Sequence, residues 1–162
     1  MPGKGTCWIK PRDAEKRRAE EALRLALPTI DRVLDRLGKT DLYVCVLIKI
    51  DEDPGLMHLA QISMGRVNKW EYQYDEIARA KARLSARTGM NSREVLLLHP
   101  ELLQPGDIKW WGSVVNSSII VAASGLESWE DEAICKVVSA LYSMLNETEI
   151  ENNRSQEGYY LT

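Results

Sequence analysis

Phenylalanine is absent from this 162-residue chain, although Trp (five) and Tyr (six) are present. Apart from His, every aromatic ring therefore carries a polar atom that needs a partner when buried. Cysteine is scarce: Cys7, Cys45 and Cys135 are odd in number and far apart. That spacing argues against a disulfide framework and against a paired-thiolate metal site. Histidine is limited to His58 and His99, and no HExxH or CxxC occurs, so a classical zinc site is not expected and no metal is assigned. Glycine-rich phosphate loops are missing, as is a GxSxG elbow; Ser124-Gly125 follows Ala123 without that frame. No run approaches the ~18 apolar residues of a membrane span. The first six residues contain no apolar signal core, so a cytoplasmic protein without a membrane partner is expected.

Charge of one sign is not lacking but segregated. The net −3 combines seven Lys/Arg against four Asp/Glu in residues 1–24 with two against eight in residues 127–162. The stretch between is balanced. With a sequence pI near 5.5, the overall field does not favour nucleic acid. Hydrophobic residues (44%) and charged ones (28%) match a globular chain of one domain.

The expected order of elements follows from apolar spacing. Residues 1–12 read as an extended arm, residues 13–145 as a single domain, and residues 146–162 as an acidic, loose tail. A helix starts near Asp13 as N-cap and ends at Gly38, with Pro28 expected to kink or divide it. Residues 42–50 form a continuous apolar, β-branched run, the pattern of a buried central strand. A turn through Asp51 and Gly55 leads to a returning strand at 56–62. A second helix runs from about Tyr72 to Thr88. Val95 to Leu98 fit a short strand or a helical turn equally well. Residues 113–123 predict a hairpin turning at Asn116-Ser117-Ser118. A last helix begins at Ser128, with Asp131 in the place of a capping-box acid, and ends near Leu145. Hairpins alternating with helices give an α+β fold.

Few residues could carry chemistry. Lys81 shares a helix face with the small residues Ala78, Ala82 and Ser85. On such a face it either snorkels outward or meets a carboxylate, with Asp131 or Asp51 as the partner. Trp110, Trp111 and Gly112 form the other unusual sequence, suited to lining a ligand pocket or to filling core and interface. His58 reads as a core or edge-strand histidine. Lys81, Asp131 and His58 are the candidates for any acid–base role. Lys81, Trp110, Trp111, Gly112, Ser124, Gly125 and Asp131 are the candidates for ligand binding.

Three segments together resemble the GlcG/HbpS-like family, also called haem-degrading-like or PduO C-terminal-like. They are the strand, turn and strand from Val44 through Met57, the Ala78-Arg79-Ala80-Lys81-Ala82 helix, and Ser124-Gly125 followed by Asp131-Glu132 at a helix start. The resemblance covers about residues 15–145. It implies a profilin-like α-β-α fold, a tendency to form homo-oligomers, and binding of a small molecule, with haem or another tetrapyrrole as the ligand of some members. Gln61-Ile62-Ser63 stands where the family has Arg-Met-Asp, and residues 111–114 and 119–123 place Ile, Ala and Trp where it has glycine, implying a reshaped pocket. Three functions follow as expectations. The first is a small-molecule-binding protein. The others are an enzyme acting on a small metabolite in that pocket, and a regulatory or structural partner that has lost ligand binding.

Overall fold

In the computed structural model, residues 12–51 and 55–154 are described. The expected arm, all but its last residue, the tip of the first hairpin and the last eight residues lie outside that range. Eight main elements follow one another: α1 (Asp13–Leu37), β1 (Leu42–Lys49), β2 (Leu56–Met64), α2 (Tyr74–Thr88), α3 (Ser92–Leu98), β3 (Ser113–Asn116), β4 (Ile119–Ser124) and α4 (Ser128–Arg154). Short 3-10 turns at Val67–Lys69 and Pro100–Leu102 interrupt the connections around α2 and α3.

The four strands form one antiparallel sheet in the order β2-β1-β4-β3. The two apolar runs of the sequence become its centre, where β1 is buried over seven of eight residues and β4 throughout. A strand covered on both faces has no polar side, which is why these runs show no alternation. On one face, Val44, Val46, Ile48, Val121 and Ala123 meet Ala19, Leu23, Ala26 and Ile30 of α1 and Ile134 and Val138 of α4. On the other, Tyr43, Cys45, Leu47, Ile120 and Ala122 meet Ala78 and Ala82 of α2. The fold is thus α+β, with a sheet between two helical layers in the profilin-like α-β-α manner. No helix of the described residues is long and apolar enough to cross a membrane.

Several details differ from the sequence expectation. Pro28 does not divide α1, which is one helix from Asp13 to Leu37. Pro28 is exposed, so the carbonyl deprived of its N–H partner faces solvent rather than the core. Asp13 is the first helical residue, not the N-cap; that place is taken by Arg12 in the left-handed region. Residues 95–98 belong to a helix. The last helix continues nine residues beyond Leu145 to Arg154. Its polar end is tied to α1 by Arg18, which donates to Glu149 Oε2 at 2.6 Å and to Tyr142 Oη at 3.4 Å.

Candidate functional site

Two places concentrate the chemistry. The first joins Lys81 and Asp131. The small-residue face of α2 carries Lys81 inward, where its side chain keeps 2% of its exposure and that of Asp131 1%. Lys81 Nζ donates to Asp131 Oδ2 and to the Ala123 carbonyl, each at 2.9 Å. Asp131 Oδ1 accepts from the Leu126 N–H at 3.2 Å. One ammonium and one carboxylate therefore bind α2, the end of β4 and the start of α4 together. Asp51, the alternative partner, is exposed.

The backbone at Gly112 closes this clasp. Its N–H and that of Ser113 both donate to Ser92 Oγ at 3.0 Å. Its carbonyl accepts from the Ala123 N–H at 2.9 Å and from Cys135 Sγ at 3.3 Å. Ser113 Oγ donates to the Lys81 carbonyl at 2.9 Å and lies 2.7 Å from Ser85 Oγ. Gly125, just past β4, has φ +133, and a Cβ there would stand 2.6 Å from the Asp41 carbonyl. It lets the β4–α4 connection cross the start of β1. Ser124 is buried opposite Tyr43 in the sheet register.

The electrostatics mark the clasp as a strained but satisfied interior pair. Burial pushes the Asp131 carboxyl up to about 6, while Lys81 and the Leu126 N–H pull it the other way. Burial likewise pushes the Cys135 thiol well above its usual range, which leaves it a protonated donor. A carboxyl that holds its proton more tightly folded than unfolded stabilises the fold most at low pH. Its contribution is full below the unfolded value near 3.8 and is lost as pH rises through about 6. We expect the stability difference between the protein and its Asp131→Asn variant to change by about 2 kcal/mol between pH 4 and 7. The protein should lose ground as pH rises. Urea midpoints measured for both across that range provide the check, and a difference independent of pH would contradict it.

The remaining sequence candidates are not drawn into this cluster. His58 is exposed on β2 opposite Leu47, with burial and the nearby Arg79 and Lys16 lowering its pKa. Trp110 is 60% exposed. Trp111 is partly buried, and its Nε1 has no hydrogen-bond partner among the described residues. Of the three acid–base candidates, two hold each other and the third stands apart. Among the described residues, no group of three or more His, Cys, Asp or Glu side chains is placed to hold a metal ion.

The second place was not singled out by the sequence. A cleft of about 710 Å³ opens between β2, the 67–73 connection and the first turns of α2. Tyr43 and Gln61 form its floor: Tyr43 Oη donates to Gln61 Oε1 at 2.7 Å. Arg79 lies with its guanidinium carbon 5.8 Å from the Tyr43 ring centre. Trp70 is fixed by donation from Nε1 to the Met64 carbonyl at 3.2 Å. Its ring stands edge-on to Tyr43 at 6.4 Å and tilted against Tyr74 at 5.3 Å. Tyr72 projects from the same connection and is 60% exposed. Burial pushes the Tyr43 phenol up to about 12, so it is neutral and able to donate. The signal available in the sequence was the alternation Trp70, Tyr72, Tyr74, three rings within five residues.

No protein-family model matches the chain, and no curated protein matches it either.

Proposed function

We propose that the protein binds a small organic molecule in the cleft floored by Tyr43 and Gln61, as a GlcG/HbpS-like protein with a reshaped pocket. The observation that carries this reading is the exposed ring of Tyr72 in one cleft with a hydrogen-bonded Trp70 and the Arg79 guanidinium, whose polar contacts to Tyr43 and Asp75 are long, at 3.5 and 3.6 Å. Apolar rings with a few convergent polar groups are the usual make-up of a ligand site. The Lys81–Asp131 clasp is sealed from solvent and serves the fold, so the ligand-facing role moves from that cluster to the cleft.

Haem, the tetrapyrrole that the resemblance implies, fits this cleft poorly. Its lining includes no His, Cys or Met, and of its two tyrosines Tyr43 is engaged with Gln61 while Tyr72 is 60% exposed to water. His58 opens instead on a neighbouring groove with Leu23, Arg24 and Leu27. A metal-free organic ligand suits the donor set better. The homo-oligomer that the resemblance also implies would draw on Leu97, Leu98 and Trp110, each more than half exposed.

Native mass spectrometry of gently purified protein tests the reading. A bound species of low mass, depleted in the Tyr72→Ala variant, is the expected result. A chain that carries no such species, or one whose occupancy ignores Tyr72→Ala, would contradict the cleft as the ligand site.

A further inference from the structure

We infer that the cleft selects a planar aromatic ligand carrying a single carboxylate. The inference rests on the cleft being the ligand site and names the chemistry it accepts. Its anchor is Arg79, a planar fork of five N–H donors. Besides its packing over the Tyr43 ring, two polar contacts hold the guanidinium, and both are loose. Nη2 lies 3.5 Å from Tyr43 Oη and Nη1 lies 3.6 Å from Asp75 Oδ2. Hydrogen bonds of charged groups are normally below about 3 Å, so neither contact satisfies the fork. The Asp75 carboxylate does not depend on Arg79, because it sits in the first turn of α2, where the helix end favours negative charge. A ligand carboxylate can therefore take the guanidinium in bidentate fashion with little lost.

The floor supplies a second donor. Gln61 uses its carbonyl oxygen for the Tyr43 hydroxyl, which leaves the two N–H bonds of its amide for an incoming acceptor. The walls select for a flat ring. Trp70 is held in place by its indole N–H on the Met64 carbonyl and by its packing on Tyr43 and Tyr74, and Tyr72 offers an exposed ring in the same cleft. Offset or edge stacking of a ligand ring on these two adds to the area buried. Glu71 and Asp75 also line the cleft. Their negative charge opposes any anionic group away from Arg79, so a second anion on the ligand is disfavoured.

Isothermal titration of the full chain with three probes tests this. Indole-3-acetate carries ring and carboxylate, tryptamine the same ring with a cation, and cyclohexaneacetate the carboxylate without a flat ring. Indole-3-acetate should bind at least tenfold more tightly than either of the others. Arg79→Gln should weaken it tenfold or more, Arg79→Lys should recover only part, and Tyr72→Ala should weaken it several-fold. Both positions are at the surface, and an unchanged far-UV circular dichroism spectrum would confirm that the variants fold. Tryptamine or cyclohexaneacetate binding as tightly as indole-3-acetate would overturn the ligand class while leaving the cleft as the site. Failure of all three probes would overturn the class as well, with native mass spectrometry still deciding on the cleft. Indole-3-acetate binding that ignores both Arg79→Gln and Tyr72→Ala would overturn class and site together.

Discussion

Replacing either Lys81 by Met or Asp131 by Leu alone is expected to cost about 3–5 kcal/mol of folding stability. Each substitution strands the opposite charge in an interior that water does not reach, since both side chains are almost wholly buried. Lys81→Met also leaves the Ala123 carbonyl without one of its donors, and Asp131→Leu leaves the Leu126 N–H without its acceptor. The double replacement removes both charges at once. It retains only the penalty of the unpaired backbone groups, about 1–3 kcal/mol each. Urea denaturation of the four proteins forms a double-mutant cycle. The double variant should be no less stable than the worse single one, with a coupling of at least about 2 kcal/mol. Additive losses, or single losses under about 1 kcal/mol, would show that the pair is solvated and is not the clasp described above.

Gly112→Ala should cost about 3 kcal/mol. Two causes add. The residue has φ +142, a region that side chains rarely adopt, and a Cβ would stand 2.8 Å from Lys81 Nζ, 2.9 Å from Asp131 Cβ and 3.1 Å from the Ala123 carbonyl. None of these neighbours can retreat freely, because the hydrogen bonds of the clasp hold all three. Gly89→Ala separates the causes. Gly89 also has positive φ, at +71, but a Cβ there would meet nothing within 4 Å. Its substitution should cost about 1 kcal/mol, from backbone conformation alone. Urea midpoints compare the two directly. Equal losses would mean that the clasp relaxes around the new methyl group and that its packing is looser than its geometry suggests.

The parts of the fold written in local pattern were legible. The unbroken apolar runs at 42–50 and 119–123 could be placed as central strands because burial on both faces leaves no alternation. Lys81 could be narrowed to snorkelling outward or pairing with Asp131 or Asp51, because a long cation on a face of Ala and Ser has few ways to be buried; only the packing of α4 against β4 selects Asp131. The end of α4 was not legible. Residues 146–154 are polar and helical partly because Arg18, 131 residues away in sequence, reaches Glu149. Pro28 misled for a similar reason: whether a proline breaks a helix depends on which side its missing hydrogen bond faces.

The cleft was hidden by its assembly from four separate segments. Tyr43 reads as one more apolar residue of β1, and only the sheet register puts it on the α2 face beside Gln61 of the neighbouring strand. Arg79 lies two residues before Lys81, inside the very segment that carries the family resemblance, yet on a different face of the helix. Two of the three segments that carry the family resemblance, around Lys81 and around Asp131, are the two halves of the clasp. They specify how the layers are joined, and the residues proposed to meet a ligand lie beside them.

Chemical-shift mapping with indole-3-acetate on the isotopically labelled protein tests this division most directly. The account predicts perturbations at Gln61, Ser63, Trp70, Tyr72 and Arg79, with Gly112, Ser124, Gly125 and Asp131 unmoved. Perturbations centred on Gly112 and Asp131, with the cleft silent, would contradict it by returning the ligand site to the clasp.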